Sequence, residues 1–137
     1  MTAISKQNVQ LVRRLNDVFN ERIFVENADL HDPDMVWDMS HVPLPDAAIF
    51  TGRLGLLEFL DAWTESFASE HIDAEEILDL GDQALVMVRH SGQGKASGIE
   101  IDQRFAMLWT LLDGRATRMD MYLTRDEALE AATGRTE

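Results

Sequence analysis

Few side chains in this 137-residue sequence have the type and spacing for chemistry, and none of them is a cysteine. That excludes thiol nucleophiles, thiolate zinc sites, iron–sulfur clusters and structural disulfides. The four histidines, His31, His41, His71 and His90, lack metal-ligand spacing, so no metal site is expected. The glycine-rich stretch from Ser91 to Gly98 lacks the spacing and the lysine–hydroxyl ending of a phosphate loop, and reads as a hairpin connection. A short set of residues remains. Asn16 sits at the edge of an apolar helical stripe, as a boundary residue or as part of a pocket wall. Hairpin arithmetic sets Arg89 diagonal to Glu76 among apolar neighbours, either as a structural ion pair or as a substrate-binding cation. Asp38 follows Trp37 on a short strand. His41 lies in the proline-rich loop beyond it, a surface histidine or an acid–base partner.

The elements that must position these residues follow from periodicity. Val9, Val12, Leu15 and Phe19 recur at helical spacing and define a first helix. A second helical stretch around Ile23 to Leu30 ends at His31-Asp32-Pro33-Asp34, because proline disfavours helix in the residue before it. Met35 to Met39 is a short strand. After Gly52 comes a helix whose stripe is Leu56, Leu57, Leu60, Trp63 and Phe67. From His71 the period falls to two, and Gly81-Asp82 and Asp113-Gly114 punctuate a meander of three or four strands. Thr124 to Glu127 is a capping box opening the last helix. Helices first and strands after predict a single α+β domain spanning 1–137, with a curved antiparallel sheet wrapped around the N-terminal helices.

A two-residue turn at Asp113-Gly114 pairs Leu108 with Met119 and Ala106 with Met121. One sheet face then holds Ala106, Leu108, Met119, Met121 and Leu123. The other holds Phe105, Met107, Trp109 and Leu111, and both are too apolar to meet water. If helices cover the first face, the second needs another cover, and a homodimer through Phe105, Met107, Trp109 and Leu111 is expected. The charge balance, 12 basic residues against 25 acidic for a net −13, argues against nucleic acid as a partner. No apolar run is long enough for a membrane span and the first residues do not resemble a signal peptide, so a cytoplasmic protein is expected.

Together these features resemble the SnoaL-like branch of the nuclear-transport-factor-2-like superfamily. The resemblance rests on the first helix, on Asp32-Pro33-Asp34-Met35-Val36-Trp37, on Gly52-Arg53 and on Gly81-Asp82. It continues through Val88-Arg89, Ser97-Gly98, Leu108-Trp109-Thr110, Asp113-Gly114, Tyr122 and Glu127-Ala128-Leu129. It implies a cone, a bent sheet around an apolar pocket closed by helices. It also implies a carboxylate base at Asp38. The positions of the isomerase-like members' oxyanion donors fall on Asn16 and Ala106, so two of three catalytic parts are replaced and ketosteroid isomerase activity is not implied. The catalytic candidates are then Asp38 with Asn16, Arg89 and His41. The pocket candidates are Trp37, Leu60, Trp63, Phe67, Met87, Ala106, Leu108, Met119, Met121 and Leu123. Two functions stay open: a domain that binds a hydrophobic small molecule and acts on it, without a cofactor, as an isomerase, cyclase or dehydratase; or a non-catalytic ligand-binding or dimerisation module.

Overall fold

The computed structural model describes residues 2–21, 28–41 and 49–135, with the side chains at 2–6, 28, 62–66 and 133–135 outside that description. Helix α1 (Thr2–Glu21) leads through a single 3-10 turn (Ala28–Leu30) into β1 (His31–Asp38). Then come β2 (Ile49–Thr51), α2 (Gly52–Ser66), β3 (Phe67–Asp79), β4 (Gln83–Gly94), β5 (Glu100–Leu112), β6 (Arg115–Tyr122) and α3 (Arg125–Arg135). The strands form one curved, unclosed six-stranded sheet in the order β2-β1-β6-β5-β4-β3. It is antiparallel throughout except that β1 runs parallel to β6. A parallel neighbour needs a long crossover, and here the whole stretch from β2 to β5 supplies it. The α+β class and the curved sheet expected from the sequence are present. Of the second helical stretch only the 3-10 turn is described, since 22–27 lie outside the described residues. Phe67 opens β3 instead of closing α2.

Strand alternation divides the side chains between two faces. The inner face carries Trp37, Val86, Val88, Phe105, Met107, Trp109, Met119 and Met121, packed on Val12 and Leu15 of α1 and on Leu56 and Phe59 of α2. The outer face carries Leu85, Ala106 and Leu108, covered by Ala128 and Ala132 of α3. At the α3 start, Thr124 accepts a hydrogen bond from the Glu127 amide at 3.2 Å, as the capping box requires. Asn20 fixes α1 to the sheet: its amide donates to the Ile72 carbonyl at 2.8 Å and its oxygen accepts from the Ile72 amide at 2.8 Å.

The β5–β6 register corrects the sequence reading. The turn itself is as expected, with Leu112 opposite Arg115 and positive φ at both Asp113 and Gly114. One step later the ladder slips between Leu111 and Thr110, where Thr117 is an extra residue on β6. Trp109 therefore pairs with Met119 and Met107 with Met121. A one-residue shift moves each side chain to the other face. The face bearing Phe105, Met107, Trp109 and Leu111 is thus the cone's interior, buried within one chain, and cannot be the outer contact surface expected of it.

Candidate functional site

The interior holds a cavity of about 40 Å³ between α1, α2 and the inner face of the sheet. Trp37, Met119 and Met121 line it as expected. Leu60 and Phe67 are half-buried and pack against the surrounding core. The side chain of Trp63 lies outside the described residues. Met87, Ala106 and Leu108 do not belong to the cavity: the slipped register leaves them on the outer face, where they pack with α3. Leu123, 42% exposed beyond the end of β6, does not line it either.

Among the described residues, three polar side chains reach the cavity wall, Asn16, His31 and His90. Asn16 was expected there, and its amide donates to the Ile72 carbonyl at 3.1 Å. The two histidines were missed. Their signal lay in strand parity: His31 shares it with Met35 and Trp37, and His90 with Val86 and Val88. His90 is wholly buried, edge-on to Phe67 at 4.8 Å. Its Nδ1 faces the Gln103 amide at 3.1 Å and its Nε2 faces the buried Glu70 carboxylate at 3.4 Å. With the Gln103 nitrogen donating to Nδ1, the proton resides on Nε2 and points at Glu70. His31 has only 6% of its surface exposed, leans on Trp37 at 5.4 Å, and leaves a buried Nδ1 with no hydrogen-bond partner. Burial disfavours its charged form and lowers its pKa from 6.5 to about 4.

The other expected catalytic residues lie elsewhere. Asp38 alternates with Trp37 on β1, so its carboxylate is on the outer side, beside Asp120 of β6. Arg118 donates to Asp38 at 3.0 Å and to Asp120 at 2.9 Å, binding two carboxylates that are 5% and 1% exposed. Burial alone would raise the Asp38 pKa. Hydrogen bonds from the Ser40 hydroxyl and amide, with the charges of His41 and Arg118, outweigh it and hold Asp38 below the usual carboxylate range. His41 joins this outer network, 3.5 Å from Asp38 and stacked on Tyr122 at 4.5 Å. Asp38, His41 and Asp120 place one ligand atom each within 4.8 Å of one another, a cation-sized arrangement. The Arg118 guanidinium already bridges both carboxylates there and offsets part of their charge, which weakens the hold of the site on a second cation. Arg89 is exposed on the outer face and paired with Asp102 at 2.7 Å, while Glu76 binds Arg125 at 2.9 Å. The expected Arg89–Glu76 pair is absent although Glu76 stays opposite Met87, because each side chain has another partner. The structure thus joins Asp38 to His41 and keeps both apart from Asn16 and Arg89.

An α+β cone with a polar-studded apolar interior is the architecture of the nuclear-transport-factor-2-like proteins. The SnoaL-like domain model matches residues 12–119, and the chain belongs to that family. Among solved structures, an NTF2-like protein of unknown function from Burkholderia pseudomallei superposes with a TM-score of 0.76 at 18% identity, covering 90% of this chain and 95% of that one. TerC, co-crystallised with polyporic acid, gives 0.75 at 21% identity over 90% and 96%. A protein assigned as a SnoaL-like polyketide cyclase from Jannaschia gives 0.71 at 22% over 94% and 92%. Comparison with curated proteins gives no match. Among the described residues, no helix is long and apolar enough to cross a membrane.

Proposed function

We propose that this protein takes a hydrophobic, carbonyl-bearing small molecule into its cone and moves a proton on it without a cofactor, as an isomerase, cyclase or dehydratase does. One observation carries the reading: a buried imidazole, His90, sits on an apolar cavity wall with a carboxylate behind it. An imidazole backed by Glu70 is oriented in one tautomer, and the imidazolium it becomes is stabilised. A ligand displaces the Gln103 amide from Nδ1 and presents there the carbon-bound proton next to its carbonyl. His90 Nδ1 takes that proton. Asn16 spends one amide proton on Ile72 and keeps the second for the developing enolate oxygen. Histidine thus replaces the carboxylate expected at Asp38. Crystallisation of TerC, a protein of the same fold, with polyporic acid supports a ligand in a cone of this kind.

A non-catalytic binding module is the second reading, favoured by the size of the cavity and by the engagement of both His90 ring nitrogens. About 40 Å³ holds a few waters, whereas a benzene-sized ligand occupies a cavity of about 150 Å³. A ligand enters only if the Met107, Met119 and Met121 side chains shift, and methionine adapts in this way. The discriminating experiment is 2-tetralone in D₂O, followed by proton NMR. Wild type should accelerate exchange of the protons next to the carbonyl, and Glu70→Gln should slow that exchange by about a hundredfold, the scale of a positioned base. Saturable binding with no exchange would leave the binding module.

A further inference from the structure

His31 plays no part in the proton transfer, yet it is the polar group of the cavity wall whose ring nitrogen is left without a partner. Its Nδ1 is shielded from bulk water. A buried polar atom with no partner is costly, and native structures supply one from protein, water or ligand. The ring lines the cavity and rests against Trp37 at 5.4 Å, with planes tilted by 47°. Register separates it from His90. His31 is level with Ala116 and through it with Leu111, while His90 is level with Gln103, eight residues earlier on β5. The two histidines therefore stand at different levels of the sheet around a cavity walled by Trp37, Trp109, Met107 and Met119.

We infer that His31 is a ligand anchor: an imidazole that hydrogen-bonds an uncharged hydroxyl or carbonyl oxygen of a flat aromatic ligand. The inference shares with the proposed function only the premise that a small molecule enters the cone. Burial keeps the ring neutral at physiological pH, its pKa lowered to about 4, so one nitrogen donates and the other accepts. A neutral ring offers no counter-charge to a carboxylate, which would be desolvated among tryptophan and methionine side chains. The net charge of −13 acts in the same direction by repelling anions from the mouth of the cone. The ligand class is thus a phenol-like or quinone-like ring compound, and aryl carboxylates are discriminated against.

The test is a fluorine NMR titration of the full chain with 4-fluorophenol, fluorobenzene and 4-fluorobenzoate. Wild type should bind 4-fluorophenol at least about tenfold more tightly than fluorobenzene, with 4-fluorobenzoate the weakest. His31→Phe should keep fluorobenzene affinity and abolish the preference for the phenol, and His31→Gln should restore part of it. If His31→Phe does not fold, the nitrogen-15 resonance of His31 Nδ1 in wild type gives the same answer, shifting with 4-fluorophenol and not with fluorobenzene. Equal affinities for the phenol and fluorobenzene, or a preference that survives His31→Phe, would show that Nδ1 is satisfied by water and overturn the anchor while leaving ligand entry intact. Failure of all three probes to bind would overturn ligand entry and the anchor with it.

Discussion

Protonation of His31 should undermine the fold well before most carboxylates titrate. Its folded-state pKa is lowered from 6.5 to about 4 by burial. At 1.36 kcal/mol per pH unit, that difference is worth about 3.4 kcal/mol. The sign follows from linkage. Between the two values the unfolded chain binds the proton and the folded chain does not, so the stability is fully present above 6.5 and is lost as pH falls toward 4. Between pH 7 and pH 5 the loss from this one residue is about 2 kcal/mol. No discount for solvent screening is needed, because His31 is only 6% exposed. Urea unfolding of wild type and His31→Phe at pH 7, 6 and 5 isolates it, since every other titrating group is common to both. The wild-type free energy should fall about 2 kcal/mol more than that of the variant across this range. Parallel pH profiles would refute the reasoning, because they would mean that His31 is solvated or that its charge is compensated in the folded state.

Three further outcomes follow from the packing. Arg118→Ala should cost about 3 kcal/mol in urea unfolding at pH 7 by removing the guanidinium that bridges the buried carboxylates of Asp38 and Asp120. The Asp38 share of that cost should be fully present above 3.8 and lost as pH falls through the depressed folded-state value of Asp38, where its carboxylate is protonated in the folded chain as well; a cost under 1 kcal/mol at pH 7 would contradict this. Asn20→Ala should cost about 1–3 kcal/mol, since the Ile72 amide loses its side-chain acceptor while the Ile72 carbonyl keeps only Asn16, and hydrogen exchange at the Ile72 amide should accelerate. Gly92→Ala should destabilise by about 2 kcal/mol or more, because a methyl group there would press on the Ser69 carbonyl and approach the Glu70 Cα to 2.8 Å. Unchanged thermal unfolding of this variant would mean that β3 and β4 separate there at little cost.

The elements were legible in the sequence because their signals are local. Val12 and Leu15 give α1, Leu56 and Leu60 give α2, Asp113-Gly114 gives the hairpin, and Thr124 with Glu127 gives the start of α3. The length of β1 was not legible. Pro33 and the charged Asp32 and Asp34 argue against a strand, yet His31–Asp38 forms one whose register is irregular between His31 and Val36 and so accommodates them. Of the candidate site, Asn16, Trp37, Met119 and Met121 were placed correctly at the cavity. Nothing in the sequence says that β1 returns to pair with β6 and delivers Asp38 to Arg118 and Asp120.

Alternation assigns a face only if the ladder contains no extra residue, and of the hairpins from β3 to β6, β4–β5 alone is regular: β6 carries the extra Thr117, and β3 slips between Phe67 and Ser69 and again between Ala74 and Glu76. The first bulge turns Met119 and Met121 inward to meet Met107 and Trp109. The same slip turns Arg118 and Asp120 outward together with Ala106 and Leu108. Without it, Met119 and Met121 would share a face with Ala106, and the Arg118–Asp120 pair would sit among Phe105, Met107 and Trp109, inside the cone. A single inserted residue thus keeps an ion-pair network out of the apolar interior, where Asn16, His31 and His90 are the polar side chains among the described lining residues. Under the proposed function, the consequence is a change in the side chain that would take the proton. A carboxylate base would need strong desolvation to operate near neutrality, whereas imidazole is the side chain whose ordinary range already lies close to it.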